Sequence, residues 1–123
     1  MKPVKVMDKM FRTCLEVIIE PDDKAVDKYL DECGYTGERN HSDALASTYR
    51  LRYSTSSSNH TMIRLREKSL PQLAHELIHY ATITMQDKGI EVTAENDEMI
   101  CYHVEMHMQE ILDKWAKQEK SKK

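Results

Sequence analysis

Long hydrophobic runs, paired cysteines and a strong net charge are all missing from this sequence, and each absence excludes a class of protein. No stretch approaches the roughly 18 uninterrupted apolar residues of a membrane span, and the charged start MKPVKVMDKMFR has no signal-peptide core. The formal net charge of −3 gives no reason to expect nucleic acid or an anionic membrane as a partner.

The three cysteines, Cys14, Cys33 and Cys101, are an odd number without CxxC spacing, which indicates neither a disulfide framework nor a cysteine-rich zinc site. We therefore expect a protein of the reducing cytoplasm. A chain of 123 residues with 40% hydrophobic and 32% charged residues suits one globular domain with one modest core. We expect a single domain over 1–123, in which 118–123 form a disordered basic tail.

Hydrophobic periodicity predicts an α+β fold with a sheet of about three strands. Alternating apolar residues predict a strand over 11–19, and a short helix follows Pro21 and ends near Gly34. The runs STYRLRYS and TMIRLREK predict an antiparallel hairpin whose arginines are interpreted as a solvated face, with a ligand-facing surface as the alternative. A buried helix begins after Ser69 and ends near Gly89, and a long helix covers roughly 95–117.

The run LAHELIHYA, residues 73–81, contains the candidate metal-binding and catalytic residues. Residues four apart share one face of a helix, so the rings of His75 and His79 can reach one metal ion. Glu76 lies about 100° around from His75, beside the metal, where its carboxylate can hold and deprotonate a bound water. This is the H-E-x-x-H pattern of zinc hydrolases. The alternative is that both histidines are core residues satisfied by hydrogen bonds.

A catalytic zinc also needs a third protein ligand. The metzincin pattern requires glycine at position 82 and histidine at position 85, where Thr82 and Met85 stand, so that class is excluded. The following helix supplies carboxylates in AENDEMICYHVEMH, namely Glu95, Asp97, Glu98 and Glu105.

Glu98 is the chosen third ligand, because a helical wheel places it on the side interpreted as apolar, where a carboxylate needs a partner. The alternative is an N-terminal acid favoured by the helix dipole. Glu105 is either a hydrogen-bond partner of a ligand histidine or the fallback ligand.

Two further features of the site region have a functional and a structural interpretation. His103 and His107 are also four apart, but the wheel places them on the polar back of the last helix. They are interpreted as a solvated pair, although a second metal there stays open. Tyr80 and Tyr102 are candidates to hydrogen-bond an oxyanion, or else aromatic packing residues with satisfied hydroxyls.

The segment SLPQLAHELIHYATITMQDKGIEVTAENDEMICYHVEMHMQEIL resembles a group of small proteins from bacteriophages and prophages. They share the HExxH helix, a short GI connector and a second helix that opens with acids and a tyrosine. They are regarded as zincin-like metalloproteases of the gluzincin type. The resemblance covers roughly residues 61–112 and implies zinc ligands His75, His79 and Glu98, with Glu76 as general base. It also implies that Tyr102 packs near the site. Cys101 and Tyr80 depart from the alanines usual in that group.

These features together predict a minimal zincin that uses Zn²⁺ to hydrolyse peptide bonds of a peptide or protein substrate. A phage-encoded protein would act in the cytoplasm of its bacterial host. The alternative is a non-catalytic phage accessory or structural protein, in which zinc is a structural staple and the function is protein binding. The sequence gives no indication of the oligomeric state.

Overall fold

A computed structural model describes residues 2–9, 12–35, 46–51 and 60–121 of the chain. Over these ranges the fold is α+β, as predicted, with four strands and three helices. In chain order the elements are β1 (Val4–Asp8), β2 (Thr13–Ile19), α1 (Asp23–Glu32), β3 (Ala46–Leu51), β4 (His60–Leu65), α2 (Leu70–Asp87) and α3 (Asp97–Ser121).

The four strands form one mixed sheet in the order β1-β2-β4-β3. Strands β3 and β4 pair antiparallel, which confirms the predicted hairpin pairing, while β2 runs parallel to β4. Strand β1 pairs antiparallel with β2 and was not predicted. Its two buried apolar residues, Val4 and Val6, alternate with the exposed Lys5 and Met7, and so short a pattern was hidden by the charged residues around it.

Strand β2 supplies side chains to both faces of the sheet, since successive residues of a strand point in opposite directions. Leu15 and Val17 belong to the larger core cluster, which also contains residues of α2 and α3. Ile18 belongs to a smaller cluster with Val26 and Leu30 of α1. Helices α2 and α3 therefore cover one face of the sheet and α1 covers the other.

The boundaries of α2 follow from local chemistry. The side chain of Ser69 accepts a hydrogen bond from the backbone N–H of Gln72, and Pro71 stands in the first turn, as predicted. Gly89 ends the helix with a φ of 74°, a left-handed conformation that glycine adopts without steric cost.

The C-terminal boundary of α3 differs from the prediction. The helix continues through Ser121, so 118–121 are helical rather than a disordered tail, and 122–123 lie outside the described residues. Gln118, Glu119 and Lys120 are all good helix formers, and Glu119 accepts a charge-assisted hydrogen bond from Lys68 before α2. Among the described residues, no helix is long and apolar enough to cross a membrane.

The prediction of a solvated arginine face is wrong for Arg64 of β4, which is 1% exposed. Its Nε donates to the carbonyl oxygen of Glu20 at 2.8 Å, and its guanidinium lies 2.9 Å from the carboxylate of Asp23. The start of α1 thus supplies the counter-charge that allows this arginine to be buried.

Helix α2 is less completely buried than its composition predicts. Leu73, Leu77 and Tyr80 enter the larger core cluster, whereas His75, Ile78 and His79 are exposed. The helix therefore has a core face and a solvent face, and the histidines of the motif lie on the solvent face.

Adjacent residues of α2 give a matched test of this orientation. Leu77→Ala should lower the free energy of unfolding by about 2–5 kcal/mol, because Leu77 is fully buried. Ile78→Ala should change it by less than about 0.5 kcal/mol, since Ile78 is 50% exposed. Urea unfolding followed by circular dichroism measures both, and similar losses for the two variants would contradict the orientation.

Candidate metal centres

The imidazole rings of the HExxH motif converge on the solvent face of α2. The Nε2 atoms of His75 and His79 lie 3.1 Å apart, and the ring centroids are 4.8 Å apart. One nitrogen can donate to the other at this distance. Two ligand atoms on one tetrahedral zinc ion, with bonds of about 2.0–2.1 Å, also lie about 3.3 Å apart. The pair is therefore spaced for one metal ion without rearrangement of the helix.

Glu76 lies at the boundary between the solvent face and the core of α2. Its side chain is buried, and its Oε2 accepts a hydrogen bond from the hydroxyl of Thr48 on β3. Strand β3 is at the edge of the described sheet. The carboxylate is thus held between the histidine pair and the edge strand.

The predicted third ligand, Glu98, is exposed in the first turn of α3. Tyr80, the residue after His79, packs against the ring of His103, and Glu98 lies five residues before His103. At 1.5 Å per residue, Glu98 lies about 7.5 Å from His103 along the α3 axis, towards the N-terminus of the helix. Within the described residues, His75, His79 and Glu98 do not form a cluster of three ligand groups within 4.8 Å. The assignment of Glu98 as a ligand stays a prediction.

The helical wheel assigned the faces of α3 the wrong way round. Four buried residues recur every fourth position and define the core face: His103, His107, Ile111 and Trp115. Partly buried Val104, Met108 and Leu112 flank them. Cys101, Tyr102 and Glu105, on the side interpreted as apolar, are exposed. On the buried face, the large apolar residues Ile111 and Trp115 come after the two histidines. Because the face begins with histidines, its sequence pattern does not indicate a core face at the start of the helix.

His103 and His107 are therefore not a solvated pair, and this prediction was wrong. They are 1% and 3% exposed, and with Asp8 of β1 they form a buried cluster whose ligand atoms all lie within 4.8 Å of one another. His103 Nε2 is 2.5 Å from Asp8 Oδ2, and His107 Nε2 is 3.7 Å from the same oxygen. This cluster could bind a metal ion.

The tautomer of His107 follows from its hydrogen bond. Its Nδ1 donates to the carbonyl oxygen of His103 at 2.7 Å, so the proton of the neutral ring is on Nδ1 and Nε2 has a lone pair. Burial lowers the pKa of His107, because the protonated ring would lose hydration, and this outweighs the opposing effect of the hydrogen bond to the His103 carbonyl. The His107 ring is therefore kept in the neutral form that binds metals.

Tyr80 connects α2 to this cluster. Its hydroxyl is 2.5 Å from Thr13 Oγ1 and donates to Asp8 Oδ2 at 3.4 Å, and its ring contacts both His103 and His107. Burial raises the pKa of the Tyr80 hydroxyl, so it stays protonated and acts as a donor. The hydroxyl thus faces the core cluster, whereas that of Tyr102 lies on an exposed side chain.

Asp8 is the member of the cluster that the sequence did not indicate as functional. The alternation of Val4, Val6 and Asp8 is the available signal, since it puts a carboxylate on the core face of a short strand. A groove of about 560 Å³ between β1 and α3 reaches this cluster and is lined by Lys5, Val6, Met7, Asp8, Lys9, Cys14, Met106, His107, Glu110 and Lys114.

Comparison of the chain with protein-family models, with curated proteins and with solved structures finds no match. The assignment of function therefore depends on the two histidine sites themselves.

The hydroxyl of Tyr80 gives a test of the buried network. Tyr80→Phe should lower the free energy of unfolding by about 1–3 kcal/mol, because Thr13 and Asp8 each lose a buried partner. Tyr102→Phe is the matched control and should change it by less than about 0.5 kcal/mol, since Tyr102 is 60% exposed. Equal stability of the Tyr80→Phe variant and the wild type in urea unfolding would contradict the network.

Proposed function

We propose that the protein is a zinc-dependent peptidase of minimal zincin-like architecture, with His75 and His79 as metal ligands and Glu76 as general base. One observation carries this proposal: the two Nε2 atoms converge to 3.1 Å on the solvent face of α2. Glu98 is the proposed third ligand, on the sequence argument. Peptides or proteins are the proposed substrates.

The donor set fits zinc, because neutral imidazoles are among its preferred ligands and the spacing of the pair matches a tetrahedral edge. A zinc ion held there would lower the pKa of a bound water and polarise the carbonyl of a substrate. Both rings are exposed, so a substrate can approach them without a change in the core.

Glu76 is suited to move the proton in this reaction. Its Oε2 is held by the hydroxyl of Thr48, which leaves Oε1 as the oxygen that would take a proton from the attacking water. The same carboxyl group would then deliver the proton to the departing amine. The contact with β3 fixes the side chain and reduces the rotamer entropy lost during the reaction.

The position of β3 favours an extended peptide as the substrate. This strand pairs with β4 on one side and is at the edge of the described sheet on the other. An edge strand can pair with an added peptide through backbone hydrogen bonds, without requiring a deep pocket. Since Thr48 contacts Glu76, a peptide bound along β3 would pass close to the candidate base.

Substitution of the proposed base separates catalysis from metal binding. Glu76→Gln should keep the zinc affinity within about threefold of the wild type and lower the rate of peptide cleavage at least about 100-fold, because general-base catalysis contributes 10²–10⁴. His79→Ala should lose both the cleavage and the zinc bound at the HExxH pair. Zinc is measured by competition with a chromogenic chelator, and cleavage by mass spectrometry of a peptide library.

Two results would contradict the enzyme. One is the absence of cleavage by zinc-loaded wild type across the library, and the other is equal cleavage by the wild type and the Glu76→Gln variant. In the first case, zinc retained at His75 and His79 would leave a metal-binding protein without peptidase activity. In the second case, cleavage would not depend on Glu76, and the role of Glu76 as general base would be wrong.

The proposed ligand Glu98 has its own test. If Glu98 is a ligand, Glu98→Gln should weaken zinc binding at the HExxH pair at least about tenfold, since even residues that only support a ligand contribute 10–100-fold. Glu95→Gln is the matched control, because Glu95 is an exposed acid of the same segment, and it should change the affinity less than about twofold. Unchanged affinity in Glu98→Gln would remove it from the ligand set.

A second candidate function is that of a non-catalytic accessory or structural protein that acts by binding another protein. The observation that favours it is the buried group of Asp8, His103 and His107, which joins the first strand to the last helix and needs no substrate. In that case zinc would contribute to stability, and Glu76 would be dispensable for function. The comparison of wild type with Glu76→Gln distinguishes the two candidates.

A further inference from the structure

We propose that Asp8, His103 and His107 form a second metal site, which binds a divalent transition-metal ion of the zinc type and ties β1 to α3. The three side chains are buried, and their ligand atoms lie within 4.8 Å of one another. The site is separate from the HExxH pair, because its residues are on β1 and the core face of α3, whereas the pair is on the solvent face of α2.

The strongest sign of a missing partner is the Nε2 atom of His107. It is buried and has no hydrogen-bond partner within the part of the chain that the structure describes, while Nδ1 of the same ring donates to the His103 carbonyl oxygen. The Nε2 lone pair therefore faces Asp8 Oδ2, an acceptor atom, at 3.7 Å. Two acceptors that face each other in the core need a cation or a proton between them.

A metal ion satisfies all three groups at once. The proton between His103 Nε2 and Asp8 Oδ2 would be displaced on metal binding, and both atoms would become ligands together with His107 Nε2. Ligand atoms around a tetrahedral zinc ion lie about 3.3 Å apart. The 3.7 Å separation between His107 and Asp8 would therefore contract slightly, and the 2.5 Å separation between His103 and Asp8 would widen once its proton is displaced. Two imidazoles and one carboxylate are a donor set for zinc and its neighbours in the transition series, not for calcium or magnesium.

The supporting contacts are those that orient metal ligands in proteins. The His107 ring is fixed by its Nδ1 donor bond to a backbone carbonyl, and Asp8 accepts from the Tyr80 hydroxyl. The groove between β1 and α3 reaches Asp8 and His107, which gives the ion a route and leaves space for a water as a further ligand.

The consequence of binding is structural. Asp8 and His103 are 95 residues apart in sequence, and a metal between them would close most of the chain into one loop. A hydrogen bond from Lys114 Nζ to the carbonyl oxygen of Lys5 at 2.5 Å joins the same two elements. The ion would also fix Asp8 for its contact with Tyr80, and so hold α2 against the sheet.

The test begins with the double variant His75→Ala/His79→Ala, which removes the exposed pair and leaves the buried cluster intact. After chelator treatment and dialysis, this variant should bind one equivalent of Zn²⁺. At about 100 times the dissociation constant, Zn²⁺ should raise Tm by at least about 5 °C. A well-folded double variant that binds no Zn²⁺ and shows no shift in Tm would overturn the proposal.

The buried residues are then exchanged in the same background. His107→Gln and Asp8→Asn should each weaken Zn²⁺ binding at least about 100-fold and abolish the shift in Tm. His60→Gln is the matched control, because His60 is a largely buried histidine that pairs instead with Glu16 at 3.2 Å. This exchange should leave the Zn²⁺ affinity and the shift in Tm unchanged. Retention of the shift in His107→Gln would contradict the assignment. If the buried variants fail to fold, the response of the double variant to Zn²⁺ still decides.

Substitution with Co²⁺ reports the ligands directly. The double variant should give the intense visible absorption of a tetrahedral cobalt site, and the His107→Gln exchange should remove it. Weak absorption typical of six-coordinate cobalt would contradict the proposed geometry. These measurements need no substrate, so the buried site can fail while the peptidase proposal stands, and the reverse.

Discussion

The buried carboxylate of Asp8 is the constraint around which the core is arranged. A carboxylate loses several kcal/mol of hydration when it is buried, and it must recover this from hydrogen bonds or opposite charge. Its partners come from two separate helices, since Tyr80 is on α2 and both His103 and His107 are on α3. The requirement to satisfy one oxygen therefore fixes how two helices lie against the first strand.

Helix α2 serves two purposes because its faces differ. One face supplies Leu73, Leu77 and Tyr80 to the core, and the other presents His75 and His79 to solvent. Glu76 lies between the two faces, where its carboxylate accepts a hydrogen bond from Thr48. The rigidity of the core face is what would give a site on the solvent face its geometry.

Local patterns predicted the parts of this fold that depend on local chemistry. The capped start of α2, the glycine at its end and the pairing of β3 with β4 all follow from residues close together in sequence. The orientation of α3 was predicted wrongly, because at the start of the helix Cys101 and Tyr102 are less polar than His103 and His107. The apolar residues of the buried stripe, Ile111 and Trp115, lie further along the chain. Which stripe is buried depends on β1, whose carboxylate makes the histidine side the better fit.

The two histidine pairs show why the same spacing can be visible in one place and hidden in another. His75–His79 and His103–His107 both use residues four apart on a helix, and in both the two rings are close together, with centroids 4.8 Å and 4.2 Å apart. The first pair has its glutamate within the motif, so the whole pattern is local and can be recognised in the sequence. The second pair obtains its carboxylate from a strand 95 residues away, and only the fold brings the three groups together. A site assembled from distant residues is harder to recognise in a sequence than one contained in a single turn of helix. This holds even though the buried cluster brings three ligand groups together.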